Sequence, residues 1–281
     1  ANHYYALADI EGKTISAWGE IGLGMHAVDY FEANQRPCGV VEIKLFDNDK
    51  LIFDSELNRI SFDDTRYINS HIDYAERALN KRFVQRSYVE PNNHLPVYKC
   101  AEQLNIAEGE THHIRYELTD FNGNKRVVSF TLQGKHTAAP TRQHTGYFID
   151  YARTWTLDTL GMSVLIPHDA LYNSTYADVI VTDISNDDHI YRIGTDCTPL
   201  HKAMTLTIPM PESLRAIGQR VFVAQIDNKS KLTYLASTIS DNQLIAHPRT
   251  MGAFTIATDT IAPKVVSKNS RTNLKPSNSI M

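Results

Sequence analysis

The sequence predicts an all-β protein, built as two tandem antiparallel β-sandwiches with short helical insertions. Three observations carry this prediction. Apolar and polar residues alternate with period two along much of the chain. Turn residues separate the alternating runs at short intervals. Only PESLRAIG (211–218) and DYAERALNKRF (73–83) have helical spacing.

In VVEIKLF, Val41, Ile43 and Leu45 point one way and Glu42 and Lys44 the other, the pattern of a half-buried strand. Asp47-Asn48-Asp49-Lys50 then turns the chain into Leu51-Ile52-Phe53, a hairpin. A second hairpin follows in THHIRYELTDFNGNKRVVSFTL. There His112, Ile114, Tyr116 and Leu118 share a face, Asn122-Gly123 supplies the turn, and Val127 to Leu132 return. The polar QGKHTAAPTRQHT has no periodicity and reads as a linker. Beyond it, strands are expected at 147–151, 163–166, 177–181, 204–208, 221–226, 232–237 and 254–257. Short strands at this spacing fit immunoglobulin-like sandwiches. In the helical stretch 73–83, Tyr74, Ala78 and Leu79 share a face.

The expected division is a first sandwich over 1–136 with a polar insertion around 61–98, a linker at 137–146, and a second sandwich over 147–260. Residues 261–281 read as the start of a truncated further domain.

Composition narrows the function classes. The chain has 281 residues, 42% hydrophobic and 21% charged, enough apolar content for a core in each half. A net charge of −4 argues against a nucleic-acid partner, which calls for a basic footprint. No run approaches the roughly 18 apolar residues of a membrane helix, and ANHYYALADIEGKTIS lacks the features of a signal peptide. The three cysteines, Cys38, Cys100 and Cys197, form no CxxC; pairing of Cys38 with Cys100 requires their Cα atoms to approach about 6 Å.

The densest concentration of chemistry-bearing residues is SFDDTRYINSHIDY, with Asp63, Asp64, Arg66, His71 and Asp73 close together. Carboxylates and imidazole at such density can hold a metal, but their spacing is not that of a defined ligand set. The competing reading pairs Arg66 with a carboxylate, lays Tyr67 and Tyr74 over the sandwich edge, and makes the segment a long crossover. It is the favoured one, because ion-pair networks commonly imitate active sites. Other motifs are weaker. The run Gly22-x-Gly24-x-x-Ala27 lacks the following helix of a dinucleotide site. In Asp120-x-Asn122-x-Asn124, Lys125 stands where a calcium loop needs Gly. His168-Asp169 lacks a nucleophile motif and reads as a turn. Tyrosine is abundant (14), and Trp18 and Trp155 are candidates for stacking on a sugar, although core packing is the simpler role.

The run from LIFDSELNRISFDDTRYINSHIDY, through FVQRSYVEPNNHLPVY, to HHIRYELTDFNGNKRVVSFTL resembles the region downstream of the peptidase domain in bacterial lysostaphin-type zinc endopeptidases. The likeness spans most of residues 10–132. It continues more weakly through SVLIPHDALY, YRIGTDCTPLH and GAFTIATDTIAPKV. It implies a cell-envelope or periplasmic protein acting on peptidoglycan, with zinc held in a peptidase domain upstream of this region. The family's zinc site needs a His and an Asp separated by three residues, and later a His-x-His. Neither occurs here, and the adjacent His112 and His113 point to opposite faces of a strand.

The expectation is therefore a non-catalytic accessory region, without catalytic residues, cofactor or metal of its own. It would position the peptidase domain or contact cell-wall glycan, peptidoglycan or a partner. The rivals are a free-standing glycan-binding or adhesion module and an enzyme with an unrecognised site in 61–98.

Overall fold

In the computed structural model, which describes residues 4–31, 36–136, 145–159, 161–185 and 188–265, the alternating runs form strands. The first unit is built on a six-stranded sheet. Its strands are β1 (Thr14–Ala17), β2 (Glu42–Asp47), β3 (Lys50–Glu56), β4 (Tyr98–Ala101), β5 (Thr111–Thr119) and β6 (Lys125–Gly134), ordered β1-β6-β5-β2-β3-β4. The β2–β3 turn places Asn48 and Asp49 at φ 47° and 66°, the left-handed pair that a tight hairpin requires. Across β5 and β6, Ile114 faces Phe130 and Tyr116 faces Val128, so the inward residues of both strands meet on one face. Ile43, Leu45, Phe53, Ile114, Tyr116 and Leu118 are buried there, with Val41 only half-buried at the margin. A layer of short ribbons, including Gly19–Ile21 paired with Leu104–Ile106, closes this core.

One pairing departs from the antiparallel expectation: β1 lies parallel to β6, Thr14 opposite Thr131. A parallel edge needs a long crossover, and the chain between β1 and β6 supplies it.

The second unit is a sandwich of two five-stranded antiparallel sheets. Its strands are β7 (Trp155–Thr159), β8 (Met162–Ile166), β9 (Val179–Asp183), β10 (His189–Ile193), β11 (Thr205–Pro209), β12 (Val221–Ile226), β13 (Leu232–Leu235), β14 (Ser237–Ser240), β15 (Gln243–Ala246) and β16 (Gly252–Thr258). One sheet runs β7-β8-β11-β15-β14 and the other β9-β10-β16-β12-β13. Val164, Leu206 and Leu244 from the first meet Ile193, Val223 and Phe254 from the second in one fully buried cluster. The fold is all-β and sandwich-like.

Both helical stretches form, with differences. Tyr74–Asn80 is a two-turn helix capped by Asp73, whose side chain accepts from the Glu76 amide at 3.2 Å. It buries Glu76 and leaves Leu79 half-exposed, against the expected apolar face. Glu76 tolerates burial because Arg82 (2.6 Å) and Asn80 (2.8 Å) satisfy its carboxylate. PESLRAIG belongs to a 3₁₀ segment, Glu212–Arg220, broken where Gly218 takes φ 65°.

Cys100 and Cys197 are free thiols, which excludes a Cys38–Cys100 disulfide. Among the described residues no helix is long and apolar enough to cross a membrane. The expected linker falls largely on 137–144 and most of the expected further domain on 266–281, both outside the described residues. The described part of the tail exposes Ile261 and Val265 almost fully.

Candidate functional site

The polar segment 61–98 leaves the first unit between β3 and β4 and reaches the second. Arg66 follows Thr65 in a single 3₁₀ turn, and its guanidinium crosses to three main-chain carbonyls, Leu200 (2.6 Å), His201 (3.1 Å) and, at longer range, Arg249 (3.5 Å). Among the described residues no carboxylate contacts it, contrary to the expected ion pair. Burial and the neighbouring Arg249 lower its pKa, but a guanidinium is so strong a base that it stays cationic at neutral pH. The next residue, Tyr67, lays its ring on that of His201, with centroids 4.2 Å apart and planes 19° from parallel. Tyr172 meets both rings edge-on, and its hydroxyl donates to the Arg66 carbonyl.

A second contact repeats this chemistry. The buried Asn92 donates from its side-chain amide to the carbonyls of Asp169 (3.0 Å) and Leu171 (2.7 Å). Its own backbone N–H donates to Tyr172 O at 3.0 Å. Asn173 returns the contact by donating to Glu90 at 2.7 Å. The acceptors lie in irregular turns, where no strand partner satisfies the carbonyls, so side chains of the first unit do so. His168-Asp169 is part of this turn. Asp169 takes φ 59°, and its carboxylate is held by His168 (2.8 Å) and Lys202 (3.3 Å), which lower its pKa.

The five residues of the sequence cluster therefore part company. Arg66 faces the second unit, and Asp63 is exposed with Asp64 half-exposed beside it. His71 is buried inside the first unit, its Nδ1 3.0 Å from the Tyr98 hydroxyl, which in turn accepts from Asn93 (3.1 Å). Burial, then the Arg86 charge, push its pKa down to about 4. Its Nε2 is buried with no hydrogen-bond partner, as is the hydroxyl of neighbouring Ser70. Asp73 is engaged as the helix cap and accepts from the Tyr4 hydroxyl at 3.0 Å. Among the described residues no three His, Cys, Asp or Glu side chains converge as a metal site. These residues do not fit a zinc ion.

Hollows of about 270 and 390 Å³ open on the first unit, one beside Glu42, Glu56 and Phe121, the other beside His26, Leu118 and Arg126. None of the five cluster residues lines either. The Asp120 carboxylate is filled by the Asn124 amide (2.8 Å) and side chain (2.7 Å), a hairpin turn closed on itself.

Sequence reasoning found the segment but missed its destination, and missed Asn92 and Tyr172 altogether. A signal was present: Asn92-Asn93 sits in an otherwise apolar-flanked loop, VEPNNHLPV, where an amide pair needs partners.

No curated protein matches the chain. Residues 146–259, the second β unit, are similar to the Zu5-like domain family.

Proposed function

We propose that this chain is a non-catalytic accessory region of an envelope-associated protein resembling a lysostaphin-type zinc endopeptidase. The two β units act as one rigid piece that positions the peptidase domain, and zinc belongs to that domain. One observation supports this reading: the segment that carries the likeness directs Arg66 and Asn92 onto main-chain carbonyls of the second unit and Tyr67 onto its His201 ring. Side chains engaged in joining two units are not disposed around a substrate. The experiment is metal analysis of the purified chain with muropeptide digestion, with and without added zinc. Neither bound zinc nor cleavage is expected. Stoichiometric zinc lost in His71→Ala, with zinc-dependent cleavage, favours the enzyme rival instead.

A second reading, contact with cell-wall glycan, draws on Phe148 and Tyr176. These rings pair across a two-stranded ribbon at 5.2 Å and are 54% and 46% exposed, whereas Trp155 packs on the core. Exposed aromatic faces suit stacking on sugar rings. Co-sedimentation with purified sacculi, lost in Phe148→Ala and retained in Trp155→Phe, is its test.

A further inference from the structure

We propose that the seam between the two β units is an acid-sensitive joint, closed around a neutral His201 and loosened when that ring takes a proton. The proposal deepens the rigid-pair reading and rests on it.

The argument begins with geometry. His201 Nδ1 is buried and has no hydrogen-bond partner. In its Nε2–H tautomer the neutral ring leaves that nitrogen as an unpaired acceptor. An imidazolium carries hydrogen on both nitrogens, so Nδ1 would become a buried donor with no acceptor in reach. The ring cannot turn away freely, since Tyr67 covers its face at 4.2 Å and Tyr172 meets it edge-on at 5.8 Å.

The charges around it point the same way. From the first unit, Arg66 donates to the carbonyl of His201 itself, and His94 lies behind Tyr67 with centroids 5.8 Å apart. From the second come Lys202, next in sequence, and Arg249, whose carbonyl also faces the Arg66 guanidinium. Lys202 is already engaged with the His168 carbonyl and the Asp169 carboxylate. Among the described contacts no carboxylate reaches His201. Stacking on Tyr67 favours a cation slightly, while burial first, then the charges of Arg66, Lys202, Arg249 and His94, lower the pKa of the ring.

Protonation thus places charge in the middle of the seam, against the guanidinium that closes it. The partner surfaces are main-chain carbonyls and polar side chains, which water can satisfy once the units part. The two hydrophobic cores share no residue, so among the described residues the seam is held by these polar contacts and by the rings of Tyr67, Tyr172 and His201 rather than by a common core. Opening therefore costs less than unfolding either unit.

The test is ¹⁵N relaxation of the full chain at pH 7.5 and about pH 5, a window chosen to span histidine titration. Amide dispersion in the same spectra reports whether each unit stays folded. At pH 7.5 one rotational correlation time should describe both units. At the lower pH each unit should tumble with its own, shorter value while its amide dispersion persists. His201→Phe keeps a ring on Tyr67 but cannot take a proton, so it should remain a single rigid body at both pH values. The proposal is overturned if the wild type stays rigid while the His201 ring titrates. It is equally overturned if His201→Phe parts as readily as the wild type, or if separation coincides with loss of dispersion. Two correlation times already at pH 7.5 would sink the rigid-pair reading itself, a result distinguishable from acid insensitivity.

Discussion

The guanidinium of Arg66 lies 2.6 Å from the main-chain oxygen of Leu200, which 134 residues separate from it in the chain. This contact replaces the carboxylate partner expected from the sequence, and it joins two hydrophobic cores that share no residue. A charge-assisted hydrogen bond to a carbonyl contributes about 1.5–3 kcal/mol, and removing the donor also strands the acceptors. Arg66→Ala should uncouple the units, splitting a shared thermal transition into two. Arg66→Lys should rescue only in part, because an ammonium cannot reproduce the planar fork. Differential scanning calorimetry reads both; an unchanged profile in Arg66→Ala would place the coupling elsewhere.

Asp73 behaves as a cap rather than a ligand. Asp73→Ala should cost about 1 kcal/mol of first-unit stability, and Asp73→Asn much less, since an amide oxygen still accepts from the Glu76 N–H. Urea unfolding followed by Trp18 fluorescence measures the difference. Equal losses in the two variants would show that the carboxylate charge matters more than the cap.

His71 makes the first unit sensitive to acid. Unfolded, its imidazole titrates near 6.5; folded, it is held at about 4. Between those values the unfolded chain binds the proton and the folded chain does not. The stabilisation is therefore full above pH 6.5 and is lost as pH falls toward 4, on the order of 3 kcal/mol across the window. The urea midpoint should fall over that range in the wild type and fall less steeply in His71→Gln. Parallel slopes would assign the acid sensitivity to other groups.

Gly134 at the end of β6 has no room for a side chain. A Cβ there would stand 1.9 Å from the Ala107 carbonyl oxygen, a backbone atom that cannot swing aside. Gly134→Ala should destabilise the first unit by about 1–3 kcal/mol, as overpacking does. A variant with a wild-type urea midpoint would mean that the 107–110 turn shifts to accept it.

The sequence alone determined the strand class and much of the first core. Ile43, Leu45, Ile114, Tyr116 and Leu118 are buried because period-two alternation puts such residues on one face whatever lies above it. Asn48-Asp49 and Asn122-Gly123 fixed their hairpins through local turn chemistry. Strands such as Gln243–Ala246 and His189–Ile193 escaped notice because they are short and their burial comes from the opposing sheet. Only the tertiary structure decided the use of the polar segment. Periodicity reports which face of an element is buried, not which distant carbonyl lacks a donor. Arg66 meets Leu200, Tyr67 covers His201 and Asn92 meets Leu171 because two separately specified units leave unsatisfied main-chain groups at one seam, and no local pattern encodes that coincidence.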